Sequence, residues 1–244
     1  MKQLKILSAL GISFVLLFSS CGGNDEKTEA TTTDTTAAAS KTDSATTSDV
    51  TTTPQTVLIV WHKVADFAKW KTSYDAHDSV RLAYGIHNYV IGRSVDDSNM
   101  VLVATKADDV AKAKAFGKDP SLKAAMQKGG VVGAPSISIN TVVYQDMSKN
   151  MSDLRSMTTF TVKDWDAWKK SFESRRQMRM DNGLTDRAYG YDPDDNHKVT
   201  LVVAINDTAK ANAFWNSDAI KQARAESGVV GEVKRRVYHV AQKY

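Results

Sequence analysis

Ten residues recur at one fixed offset. Asp66, Trp70, Arg81, Gly85, Gly92, Asp96, Asp97, Phe116, Gly130 and Gly133 reappear as Asp164, Trp168, Arg179, Gly183, Gly190, Asp194, Asp195, Phe214, Gly228 and Gly231, each 98 positions later and with no gap. A constant offset through ten pairs marks a duplicated unit of about 90 residues. Whatever this chain folds into must be something that two similar units build together.

The copies span 56–146 and 154–244; the chain before them has a different character. Lys2 and Lys5 precede the apolar run Ile6 to Phe18, which is too short to span a bilayer comfortably. Ser19 and Ser20 then lead to Cys21. Small residues before a cysteine at the end of an apolar run resemble the bacterial lipoprotein signal. That resemblance implies cleavage after residue 20, acylation of Cys21 and a lipid-anchored protein of the cell envelope, on the periplasmic or surface side. The other reading is an ordinary secretory signal with a chance cysteine. Cys21 is the only cysteine, so an intramolecular disulfide and a thiolate metal cluster are both excluded. Residues 21–55 are rich in Thr, Ala and Ser and hold no aromatic residue, which reads as a disordered tether. With the basic signal and the acidic tether set aside, the remainder is more basic than the chain's net +4. A modestly basic exported domain suits anionic lipid, polysaccharide or small acids, or simply carries a solvated excess of lysine. Nucleic acid is not expected at that address.

Each copy reads strand, helix, strand, strand, helix, strand. In the first, Thr56 to Val64 is β-rich, Asp66 caps a helix from Phe67 to Tyr84, and Gly85 ends it. Ile86 to Ser94 and Met100 to Thr105 flank a turn at Asp96 to Asn99. Helical segments follow from Asp108 to Phe116 and from Pro120 to about Lys128. Gly129, Gly130, Gly133 and Pro135 then break the chain before a last strand, Ser136 to Tyr144. The second copy repeats this order, from Ser156 to Ala241. The order β-α-β-β-α-β predicts an α+β, ferredoxin-like sandwich with both helices on one face of an antiparallel sheet. The bare face needs a partner, and duplication supplies one: two sheets packed face to face as an internal pseudo-dimer. The element order, the duplication and the turns Val131-Val132-Gly133 and Val229-Val230-Gly231 resemble the dimeric α+β barrel superfamily, which includes antibiotic-biosynthesis-type and haem-degrading monooxygenases.

The leading helix carries the one constellation worth weighing. Phe67, Trp70, Tyr74, His77 and Arg81 fall at spacings of 3, 4, 3 and 4, which places them on one helix face. The second copy puts Trp165, Trp168, Phe172, Arg175 and Arg179 in the same slots. The aromatics suit a core. The cations need an acidic partner, solvent or an anionic ligand, because an unpaired buried charge costs several kcal/mol. Trp70, Tyr74, His77, Arg81, Trp168, Phe172, Arg175 and Arg179 are therefore the candidate ligand-binding residues, in a cleft between helix and sheet that suits a small aromatic or anionic molecule.

No metal site is expected: five histidines show no ligand spacing, and Asp192 to His197 reads as a turn. No cofactor is expected either. No dinucleotide or phosphate-loop motif is present, and the second helices lack the histidine that the haem-degrading relatives use. Lys234-Arg235-Arg236 reads as a solvated edge. Three functions stay open: a non-catalytic module for a small ligand or partner, a cofactor-independent monooxygenase using Trp61, His77, Asn88 and Arg81 of the first copy, and a structural envelope protein.

Overall fold

The computed structural model describes residues 49–244. The signal segment, Cys21 and all but the last residues of the expected tether lie outside the described residues. In chain order the elements of the first copy are β1 (Val50–Thr51), β2 (Gln55–Val64), α1 (Phe67–Ala76), α2 (Asp78–Ala83), β3 (Ile86–Ser94), β4 (Met100–Ala107), α3 (Val110–Gly117), α4 (Pro120–Lys128) and β5 (Val131–Asp146). Those of the second are β6 (Leu154–Val162), α5 (Trp165–Ser174), α6 (Arg176–Asp181), β7 (Leu184–Asp192), β8 (Asp195–Ile205), α7 (Thr208–Asn216), α8 (Asp218–Glu226) and β9 (Val229–Lys243). Each copy is β-α-β-β-α-β with both helices split in two. Among the described residues no helix is long and apolar enough to cross a membrane.

The strands of each copy form an antiparallel sheet, ordered β5-β2-β4-β3 and β9-β6-β8-β7. The sheets do not merely face each other. β3 pairs with β9 and β5 with β7, so the two open sheets close edge to edge into an eight-stranded barrel. The reason is the edges themselves. Each open sheet leaves a row of unpaired N–H and C=O groups on both sides, and closure satisfies all four edges at once. The expected tether also ends sooner than its composition suggested: Val50 and Thr51 pair with Asp146 and Gln145, on the flank of β5 where β2 has ended.

The seams repeat the 98-residue offset. Gly92 sits opposite Val240 in one, and Gly190 opposite Val142 in the other. A Cβ on Gly190 would run into the Thr141 carbonyl, and one on Gly92 into the Tyr238 ring, so the strands approach this closely only where a side chain is missing. Tyr144 and Tyr189 stack across the second seam with centroids 4.9 Å apart.

The barrel wall sorts the strand residues into two layers by their alternation. Leu58, Val60, Val101 and Val103 turn outward to the helices with Trp70 and Phe116. Val57, Ile59, Leu102 and Ala104 turn inward, where they meet Met157 and Tyr238 of the second copy. Gly133 and Pro135, read as breakers, instead lie inside β5. They form a bulge between the partners of Trp61 and Lys63, and Gly133 adopts φ 73° there. The hairpin Asp192 to Asp195 closes with Pro193 and Asp194 as its turn, so β8 starts earlier than the residue pattern indicates.

Gly190→Ala is expected to destabilise the fold by about 1–3 kcal/mol, a fall in melting temperature of several degrees in calorimetry. Gly231→Ala meets no neighbouring atom and bears only the strain of its positive φ, so its fall should be smaller. The opposite ranking would contradict close seam contact as the reason for a glycine at 190.

Candidate functional site

Asp66 and Asp164 start the leading helices by accepting hydrogen bonds from the Lys69 and Ala167 amides, each at 2.7 Å. Both helices break at the next conspicuous pair, His77 and Arg175, whose backbones stand at φ −94°, ψ 10° and φ −99°, ψ 19°. The expected single helix from Phe67 to Tyr84 is therefore two short ones. The break leaves carbonyls at the end of α1 and α5 without their usual donors four residues on, those of Tyr74 and Phe172 keeping only 3.2 Å bonds from the His77 and Arg175 amides. Arg81 and Arg179 supply the missing donors: Nη1 donates to the Tyr74 carbonyl at 2.7 Å in one copy and to the Phe172 carbonyl at 2.6 Å in the other. Each guanidinium also lies over the same residue's ring, 3.8 Å and 3.5 Å from the centroid.

These two arginines are also paired. Arg179 makes a two-pronged bond to Asp186, Nε to Oδ1 at 2.7 Å and Nη2 to Oδ2 at 2.6 Å. In the first copy the equivalent of Asp186 is Asn88, and the carboxylate comes instead from Asp78, 3.0 Å from Arg81 Nη2. Asn88 joins in by donating to Asp78 at 2.6 Å and accepting from the Tyr74 hydroxyl at 2.6 Å. Arg81 and Arg179 thus splint the helix break and are neutralised.

All eight expected residues border two cavities between helices and sheet. Trp70, Tyr74, His77 and Arg81 line one of about 50 Å³ in the first copy. Trp168, Phe172, Arg175 and Arg179 line one of about 100 Å³ in the second. Trp61 does not join them. It faces the barrel interior, edge-on to Tyr238 at 5.8 Å, on the opposite side of the sheet from His77 and Arg81.

The two clefts differ in chemistry. The first holds His62 and His77. Both ring nitrogens of His62 and Nε2 of His77 are buried without a hydrogen-bond partner. Burial pushes the His62 pKa down to about 4, and burial followed by the nearby Arg81 charge lowers that of His77. The position equivalent to His62 is Phe160, part of an aromatic cluster with Trp165 and Trp168.

The second cleft is larger and cationic. Arg175 reaches Glu226 at 2.5 Å, but Arg224 and Arg235 make no ion pair among the described residues. The Arg235 guanidinium lies 4.0 Å from the Trp215 ring centroid, and its Nε is buried without an acceptor. Burial, and then the Arg224 charge beside it, pushes Arg235 down to about 10. The solvated edge expected for Lys234 to Arg236 holds for two of its three residues: this stretch of β9 pairs with β6 alone, with Lys234 and Arg236 exposed, whereas Arg235 is half-buried and faces the second cleft. The signal was present, since Arg235 alternates with Val233 and Val237 and so belongs to their apolar face.

No protein-family model and no curated protein matches this sequence. Solved structures do match in shape. An anthrone oxidase-like protein superposes with a TM-score of 0.54 at 12% identity, over 80% of this chain and 95% of its own. A candidate monooxygenase of Fusobacterium nucleatum gives 0.52 at 12% identity, over 78% and 93%. A candidate chlorite dismutase gives 0.52 at 14%, over 78% and 96%. The chain has the dimeric α+β barrel fold. Here one polypeptide supplies both partners, and identities this low carry the fold alone.

The lowered His62 pKa gives stability a pH dependence of definite sign. Above the ordinary histidine pKa of about 6.5 the ring is neutral in both states and stability is unaffected. As pH falls from there to about 4 the unfolded chain takes up a proton that the folded chain refuses, so stability drops by about 3 kcal/mol and then levels off. His62→Phe, the residue of the second copy, should remove that part of the acid loss in urea titrations. An unchanged pH profile would contradict a buried neutral imidazole.

Proposed function

We propose that this protein is a non-catalytic module that binds a small amphipathic anion with an aromatic or apolar body, in the helix–sheet cleft of its second copy. The observation that carries this reading is the pair Arg224 and Arg235, without carboxylate partners, beside a cavity walled by Phe172, Trp168 and Trp215. A carboxylate on the two guanidinium groups would offset the repulsion between them, and the rings would take the apolar body. The first cleft has no equivalent: Ile137 and Met126 stand where the second copy has Arg235 and Arg224. One copy is therefore the receptor and the other its scaffold.

Calorimetric titration of the protein with indole-3-acetate tests this. Binding should weaken at least tenfold in Arg235→Gln, about 1.4 kcal/mol or more, and in Arg224→Gln, while Met126→Gln leaves it unchanged. Equal affinity in all four proteins would refute the reading.

A second reading is a cofactor-independent monooxygenase confined to the first copy. The observation in its favour is the unbonded Nε2 of His77 in an apolar cleft, the setting a general base needs in a water-poor site. Oxygen uptake with small quinols that disappears in His77→Ala would select it over the binding module. The address belongs to the proposal too. The run ending at Cys21 supports a lipid-anchored extracytoplasmic protein, and metabolic labelling with a tagged fatty acid should mark the chain but not Cys21→Ser.

A further inference from the structure

The barrel encloses a third cavity, of about 190 Å³, on the opposite side of the sheet from both clefts. Its wall is built from matching positions of the two copies: Val57 with Arg155, Ile59 with Met157, Leu102 with Thr200, and Ala104 with Val202. The apolar pairs are what a barrel core requires. The polar ones break the symmetry. Val57 becomes Arg155 and Tyr89 becomes Arg187, so the second copy brings two guanidinium groups to a core where the first brings none.

Both guanidinium groups are buried, with Arg155 4% and Arg187 8% exposed. Arg187 has a carboxylate, Asp146 Oδ2 at 3.3 Å, and also donates to the Ser148 carbonyl at 2.9 Å. Arg155 has only carbonyls, those of Ser152 at 2.7 Å and Leu154 at 2.9 Å, both through Nη1. Asp153 is the nearest other acid in sequence, but it is exposed and turned to His239 at 3.2 Å. Lys243 also lines the cavity, and its partial burial, followed by the repulsion of Arg155 and Arg187, lowers its pKa. Three cations and one side-chain carboxylate, Asp146, thus line the cavity, and only Arg187 is paired with it. Asn140, 3% exposed, lines the same cavity with its Nδ2 donating to nothing. Buried donors are almost always satisfied, and a buried cation without a counter-charge is costly. Gln145, also buried in this lining, leaves its Oε1 without a donor, so the cavity holds one unpaired amide donor, one unpaired amide acceptor and an Arg155 without a counter-charge.

We infer that the barrel interior is a second binding site, distinct from the clefts, for a small monocarboxylate whose head meets Arg155 and the Asn140 amide and whose apolar tail lies among Ile59, Leu102 and Met157. The size fits: an apolar cavity of about 150 Å³ takes up benzene, so this one holds a tail of roughly six to eight carbons. The carboxylate supplies the missing charge, and the tail fills space lined by side chains that water would wet poorly.

Octanoate is the probe, titrated calorimetrically into the full chain, with acetate as a head-only control and octanol as a tail-only control. Octanoate should bind with both controls at least tenfold weaker. Arg155→Val, which restores the first copy's residue and need not destabilise the core, should lower octanoate affinity at least tenfold. Asn140→Leu should weaken it too. Octanoate also has the chemistry proposed for the cleft, so the titration is repeated in Arg235→Gln, where any cleft binding is removed; binding that persists there and falls at least tenfold on adding Arg155→Val belongs to the barrel interior, so this site and the cleft stand or fall separately. Octanoate binding that is absent in Arg235→Gln, or that persists there and survives Arg155→Val, would overturn the proposal.

Discussion

Every feature of this molecule follows from four sheet edges that have to be covered. A four-stranded sheet with helices on one face has a bare second face and two unpaired flanks. Covalent duplication solves both problems with one partner: β3 meets β9, β5 meets β7, and the bare faces become the inside of a barrel. The glycine pair at 92 and 190 belongs to this closure, one at each seam, and the tyrosine stack of 144 on 189 adds to the second seam only.

Once closure is shared between the copies, the copies are free to diverge elsewhere. The buried arginine splint illustrates how. Asp186 of the second copy has become Asn88 in the first, and Arg176 has become Asp78, so a carboxylate moved from strand to helix while Arg81 kept its partner. The clefts diverged further. One holds two histidines in an apolar setting, the other Arg224 and Arg235, without ion-pair partners among the described residues, beside Trp215. The barrel interior diverged as well, with Arg155 and Arg187 standing where the first copy has Val57 and Tyr89. A symmetric homodimer could not place unlike groups at equivalent positions, whereas a tandem chain can.

Much of this was legible in the residues. The constant offset gave the two units, the capping aspartates gave the helix starts, and the aromatic-then-cationic spacing placed eight of the ten stripe residues along the clefts, Phe67 and Trp165 lying outside them. What that spacing could not show is pairing. Whether Arg81 and Arg179 are free or bound depends on Asp78 and Asp186, and the strand partner comes from a residue whose sheet neighbour is set only by tertiary register. The helix breaks at His77 and Arg175 were hidden because neither residue is a glycine or proline and the spacing continues across them. Gly133 and Pro135 were misread because a bulge and a chain break use the same residues. Arg235 was missed because a run of three basic residues draws attention to charge, while its alternation with valines was the informative signal.

Seam closure makes the two copies one cooperative barrel rather than two domains on a string. Native-state hydrogen exchange at the seam amides of β3, β9, β5 and β7 distinguishes the two. In one barrel these amides exchange only with global unfolding, at the same free energy as the amides joining β2 to β4 and β6 to β8. Seam amides that open at a far lower free energy, while each four-stranded sheet stays protected, would contradict it.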